Sequence, residues 1–241
     1  MLTSSPQVSV NSFILEVDHI FVCTTKYVAE ALVLQELGLH CSSCLVRRVE
    51  QGTASRIIFF ENTYLELIWV EDERAFERHF GCNGIHTLAR FDWQRTGASP
   101  FGFGLRSKFR TAKSPLSFRQ RRIENTRSDL SVRFATPNVV SLEEPICFVI
   151  PNSIALTTWF NASLPEHQQL ISHPLGVNKL TGVKVTVSSD RSLSRAISLL
   201  CLHGIVTIEK GTSPLLELTF DSEIRGKILD ARPILPILLK Y

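Results

Sequence analysis

The chain has 241 residues, 44% of them hydrophobic and 20% charged, with a net charge of +3 and six cysteines. That balance fits one large or two small globular domains and excludes a disordered or collagen-like chain, and so small a net charge does not by itself imply a nucleic-acid partner. Residues 1–14 are polar, with no positive segment followed by an apolar run, so they read as a leader and not a secretion signal; the longest apolar stretch, "AISLLCLHGIVTI", is broken by His203 and Gly204 and is too short to cross a bilayer, and a cytoplasmic protein with free thiols and no membrane contact is expected.

In chain order, "LEVDHIFVC" from Leu15 is rich in Val, Ile and Phe but alternates poorly, as a buried strand does. "TTKYVAEALVLQELGLH" predicts a helix with Thr24 or Thr25 at its start, an apolar stripe of Ala29, Leu32, Val33 and Leu37, and Gly38 in the left-handed position at its end. Three strands follow, near 45–51, 54–61 and 63–70, with turns at Gly52 and at Glu61-Asn62. After these, "FGFGLRS", "LSVRFATP" and "PICFVIP" read as strands, and a basic, irregular segment lies between the first two. Late in the chain a strand, a helix with the stripe Leu193, Ala196, Ile197 and Leu200, Gly204 and two short strands repeat the early pattern in shortened form, and "LLEL" at 215–218 echoes "YLEL" at 64–67.

Two polar side chains sit inside apolar strands. Burying the Glu66 carboxylate between Leu65 and Leu67 costs several kcal/mol unless a cation or donor meets it, so Glu66 is either a metal ligand or a carboxylate paired with an arginine of the basic segment. His19 is either a satisfied core histidine or a ligand. In the segment 106–133, Arg and Lys far outnumber Glu124 and Asp129; it forms either a solvated loop or a positive rim for an anionic substrate. Phe109 and Phe118 lie there, but no nucleic-acid-binding motif does, which argues against that partner. "HCSSC" at 40–44 has no second CxxC and reads as two free thiols. The Pro-broken apolar tail "ARPILPILLKY" packs across a sheet or at the interface of a homodimer.

The order strand, helix, three strands, with "DHIFV" at its opening and "YLELIWV" at its close, resembles the vicinal oxygen chelate superfamily. "GFGLRS", the Arg-rich "RQRR" and "HPLGVNKLTGVKV" narrow the likeness to the glyoxalase-like domain family. The resemblance implies an α+β fold of βαβββ modules over residues 15–188, one intact at 15–72 and one degenerate at 100–160, followed by a shortened third module and tail at 180–241. It implies a cup with a divalent metal (Zn, Fe, Mn, Co or Ni) held by the first and last strands of each module. His19 and Glu66 match two of those positions, and such neighbours would lie about 5 Å apart at Cβ. Gly102 or Gly104, and Ile150 and Pro151, stand where the second module would supply ligands, so His173 and Glu217 become the further candidates. The function implied is a metal-dependent lyase, isomerase or dioxygenase acting on a small oxygen-rich anion steered by Arg121, Arg122 and Arg106; with an incomplete metal set, Glu66 instead acts as a base on a pKa raised by its apolar strand. The alternatives are a non-catalytic small-molecule binding or sequestering protein and a scaffold without either role.

Overall fold

The computed structural model describes residues 15–25, 27–43, 45–81, 88–108, 118–122, 131–135 and 141–241, with backbone alone for 27–28, 118–122 and 131–135. β1 (Leu15–Cys23), α1 (Tyr27–Glu36), β2 (Leu45–Arg48), β3 (Thr53–Phe59) and β4 (Tyr64–Val70) form the first module, as expected. Three short helices, α2 (Glu73–Phe80), α3 (Leu88–Phe91) and α4 (Trp93–Thr96), lead to β5 (Phe101–Ser107), β6 (Phe118–Arg122), β7 (Ser131–Ala135) and β8 (Ile146–Val149). These eight strands make one sheet in the order β2-β3-β4-β1-β5-β8-β7-β6. Each half has its first and last strands parallel, β1 with β4 and β5 with β8, and the halves join antiparallel through β1 and β5. The second half therefore repeats the strand order of the first.

α5 (Leu156–Trp159) and α6 (Pro165–Ile171) connect to a second sheet of β9 (Leu180–Val187), β10 (Thr207–Lys210), β11 (Leu215–Phe220), β12 (Ile228–Asp230) and β13 (Ile237–Lys240), with α7 (Arg195–Leu202) crossing between β9 and β10. Its order is β10-β9-β11-β13-β12. β9 and β10 run parallel, but β11 runs antiparallel to β9. The echo of "YLEL" in "LLEL" is thus one of sequence and not of place, because Glu66 sits on the parallel partner of a first strand and Glu217 on an antiparallel one.

Alternation assigns the two faces of the large sheet. Ile20, Val22, Ile58, Leu65, Leu67, Phe103, Leu105, Cys147 and Val149 point to the core and join Val183, Val185, Leu216, Leu218 and Leu239 of the second sheet in one apolar cluster. Asn62, predicted only as a turn residue, links the sheets: its side chain donates to Leu180 O at 2.9 Å and accepts from Leu180 N at 3.0 Å, as a strand neighbour would. The stripe of α7 is as expected, with Ala196, Ile197 and Leu200 buried. That of α1 is not: Ala31 and Leu34 are buried whereas Leu32 is 51% exposed. Apolar residues run almost all the way round α1, so periodicity alone does not choose its inner face. The Thr24 hydroxyl donates to Ile68 O at 3.1 Å.

Two buried basic side chains hold connecting loops. Arg90 on α3, 1% exposed, donates to the carbonyls of Ser99, Glu144 and Ser141, each at 2.7 Å. His173 accepts from His40 N at 2.9 Å through Nδ1, so Nε2 carries the proton it shares with Phe59 O at 2.9 Å. That tautomer is neutral, and burial lowers the imidazole pKa below its ordinary 6.5 against the opposing bond to Phe59. The unfolded chain takes up a proton first as pH falls, so stability from His173 is complete above about pH 6.5 and is lost below it. Urea midpoints should fall between about pH 7.5 and about pH 5, and His173→Gln should be less stable at neutral pH with a flatter profile over that range.

Candidate functional site

The register of β1 against β5 slips by one residue between Val17 and His19. Asp18 is the extra residue of a β-bulge. Leu15 and Val17 pack on the core before it, and Ile20 and Val22 do so after it, which is why the segment alternates poorly. The bulge gives Asp18, fully buried, four contacts. Its carboxylate accepts from Arg106 Nη1 at 3.0 Å and Leu156 N at 2.8 Å, and meets His19 Nδ1 at 3.1 Å, while its carbonyl accepts from Thr63 Oγ1 at 2.9 Å. Burial pushes this carboxyl up in pKa, but His19, Leu156 N and Arg106 outweigh it and hold the group below the ordinary carboxylate value. An ionised carboxylate only accepts, so His19 Nδ1 carries the hydrogen, and in the neutral imidazole Nε2 presents a lone pair. Nε2 has no partner among the described residues, and it is not among the side-chain atoms sealed from solvent without one.

His19 lies on the face opposite the core, beside Tyr64 across the parallel ladder, with the rings stacked at 4.6 Å and 13°. Glu66 is one step further along β4 on that face, opposite Phe21. His19 and Glu66 are therefore diagonal neighbours and not directly opposed as expected, which adds about 2–3 Å between them. Arg48 reaches from β2 to Glu66 Oε1 at 2.7 Å and to Ser55 Oγ at 3.1 Å. The carboxylate does meet an arginine, but one from the first module and not from the basic segment. Burial raises the Glu66 pKa, yet the charges of Arg48 and His19 and the bonds from Ser55 and Arg48 together bring it below the ordinary value. The expected raised pKa does not arise: the ion pair with Arg48 stabilises the ionised form of Glu66.

Across the face, Gly104 stands opposite His19 and Gly102 opposite Phe21. A Cβ at Gly104 would lie 2.1 Å from His19 Cε1, and one at Gly102 would lie 2.0 Å from the tip of the Phe21 ring. The glycines are the space into which these rings extend. The next strand places Phe148 beside Gly104, so Phe148, and not Ile150 or Pro151, holds the facing position on the last strand of the second half. Its ring lies 5.6 Å from His19 and 6.0 Å from Phe21.

The other sequence candidates fall elsewhere. Arg106, expected at substrate, is 5% exposed and is occupied by Asp18, by Glu16 Oε1 at 2.7 Å and by Asn62 O at 3.1 Å. Both His173 nitrogens bond to backbone as described, so it offers no lone pair to a metal. Glu217 lies in the second sheet, its oxygens bound by Lys184 Nζ at 2.8 Å and Lys240 Nζ at 2.7 Å. Arg121 and Arg122 occupy β6, the far edge strand, paired in register with Val132 and Ser131; their side chains lie outside the described residues, as does Cys44. The Cys41 thiol is buried, and burial pushes its pKa up to about 11, as suits an unreactive thiol. Among the described residues no group of three or more His, Cys, Asp and Glu side chains could hold a metal ion, and no helix is long and apolar enough to cross a membrane. Asp18, Arg48 and Ser55 were missed in the sequence. Asp18 had one signal, a charged residue inside a strand of broken alternation.

Residues 17–201 match the family model described as a glyoxalase-like domain. Of solved structures, a hypothetical protein from Staphylococcus aureus has the same fold, with a TM-score of 0.54 over 94% of this chain and 98% of that chain at 12% identity. No curated protein matches the chain significantly.

Gly104→Ala places a methyl group where the His19 ring lies, so the ring must swing away from Asp18. A loss of about 1–3 kcal/mol is expected in urea denaturation, together with disappearance of the hydrogen-bonded His19 Nδ1 proton from the NMR spectrum. An intact Nδ1 signal in that variant would show that the glycine has no part in seating the ring.

Proposed function

We propose, for a chain that belongs to the glyoxalase-like domain family of the vicinal oxygen chelate superfamily, that the face carrying His19, Phe21, Tyr64 and Phe148 is a small-molecule binding site whose active group is His19. The observation that carries this reading is the Asp18–His19 pair. A buried carboxylate with two other donors, Arg106 and Leu156 N, holds one imidazole in one tautomer, with the other nitrogen open. The chemistry such a pair supports is proton transfer: Nε2 takes a proton from the bound molecule, and Asp18 stabilises the imidazolium that forms. Asp18 touches no ligand in this scheme and acts as a positioning residue.

The donor set does not fit a resident metal of the kind the superfamily uses. His19 offers Nε2, but the Glu66 carboxylate is held by Arg48, and a cation placed there would have to displace that guanidinium. The facing positions on β5 and β8 are Gly104 and Phe148, which donate nothing. A catalytic metal is ordinarily held by three protein ligands. The metal-dependent lyase, isomerase or dioxygenase keeps one favourable observation, that His19 and Glu66 share a face on adjacent strands.

ICP-MS separates the two readings. After incubation with Zn, Mn, Fe, Co and Ni and desalting, the untagged protein should hold well under one equivalent of any metal, and His19→Ala should hold no less. Near-stoichiometric metal, lost in both His19→Ala and Glu66→Gln, would sink the present reading in favour of the metalloenzyme. Arg48→Met should raise the metal content, because it frees the Glu66 carboxylate for a cation.

A further inference from the structure

We infer, resting on the binding site just proposed, that the Tyr64 hydroxyl is its second ligand contact and that the ligand is a cyclic amide, a lactam or imide, which presents an N–H to His19 Nε2 and the adjacent C=O to Tyr64 Oη. Tyr64 stands directly opposite His19 across the parallel ladder, and the two rings stack at 4.6 Å and 13°. Side chains rooted side by side on one face and stacked in this way carry their far ends, Nε2 and Oη, on the side away from the strands. Like Nε2, Oη has no hydrogen-bond partner among the described residues, and it is not among the side-chain atoms sealed from solvent without one. Asp18, Arg106, Glu66, Ser55 and Arg48, by contrast, are already bonded within the protein. The two open atoms differ in character. Nε2 accepts. Oη donates, because burial raises the phenol pKa and the charges of Glu66 and Asp18 raise it further against Arg48 and Arg106, so the hydroxyl keeps its proton.

An acceptor and a donor side by side are matched by a ligand edge with a donor and an acceptor on neighbouring positions, facing the same way. A phenol oxygen stands further from its ring centre than an imidazole nitrogen does, so the two contacts fall on two atoms of the ligand and not on one. The amide of a small ring has such an edge by constraint. Ring closure holds its N–H and C=O cis, whereas an open-chain secondary amide holds them trans, on opposite sides. A hydroxy ketone also pairs a donor with an acceptor, but across a rotating single bond that costs entropy to hold. The cyclic amide is the preorganised form of the edge. It also suits the proton transfer: when His19 takes the proton, the ligand's N–H bond breaks and the Nε2–H bond forms. The electron pair left on the ligand nitrogen spreads onto the carbonyl oxygen, where the Tyr64 hydroxyl donates and stabilises the charge. The proton returns by the reverse path, and no other reactant is required.

The test uses the full chain labelled at histidine with ¹⁵N, its His19 signals assigned with His19→Gln. Succinimide and 2-piperidone should shift the His19 resonances saturably. Three probes should bind at least tenfold more weakly: N-methylsuccinimide, which lacks the N–H; N-methylacetamide, whose N–H and C=O point apart; and hydroxyacetone. Tyr64→Phe keeps the ring and its stack, so it should leave the Asp18–His19 Nδ1 proton in place while weakening succinimide about tenfold. An unchanged succinimide affinity in Tyr64→Phe would overturn the tyrosine contact. Any of the three weak probes moving His19 at concentrations as low as succinimide does would overturn the cyclic amide edge. Either result leaves the binding site standing. If no probe moves His19 in the folded protein, the inference falls. If His19 is also insensitive to pyruvate, oxalate and phenol, the binding site falls with it.

Discussion

Everything distinctive about this molecule turns on one buried carboxylate. Asp18 stands at the bulge where β1 changes register against β5, and a charge there is tolerable only because four groups from separate parts of the chain converge on the residue. Arg106 brings β5, Leu156 N brings the start of α5, Thr63 brings the turn before β4, and His19 comes from the adjacent position. Remove Arg106, Leu156 N or His19 and the carboxylate is left underpaired in a low-dielectric interior. With all of them, the second module is locked to the first, α5 is docked at the edge of the site, and the imidazole has its tautomer chosen. Stability and chemistry thus share a single network.

The paired topology explains why the site is one-sided. In a sheet whose halves repeat, each half can in principle contribute donors to a common centre. Here the first half contributes His19 and Glu66, while the second contributes glycines and phenylalanine. The change is self-consistent in shape: Gly104 and Gly102 leave room for the tips of His19 and Phe21, and Phe148 packs beside both. A carboxylate or imidazole on β5 would collide with the very ring it would need to assist. Arg48 completes the change by neutralising Glu66 from within its own module.

Several features were legible in the sequence because they depend on local chemistry. The βαβββ order, the glycines that end α1 and α7, the turn at Asn62 and the awkward burial of His19 and Glu66 follow from periodicity, turn residues and the cost of desolvating a charge. Others were not legible. The inner face of α1 needed its packing partner. The short helices α2 to α6 carry too few turns for a clear period. Arg106 looked like part of a positive rim, since composition cannot tell an arginine that faces solvent from one that faces Asp18.

What the sequence determined by itself, then, is the module and the expense: it specified a first strand and a last strand, each with a polar group that water would rather keep. What only the tertiary structure decided is who meets that expense. The nearest claimants in composition were a metal and the basic segment 106–133. Register instead delivered Arg48 to Glu66 from two strands away, and a one-residue bulge turned Asp18 onto its own neighbour. Side-chain chemistry is written residue by residue, whereas partnership depends on strand order and on the parity of a pleat, which one extra residue reverses.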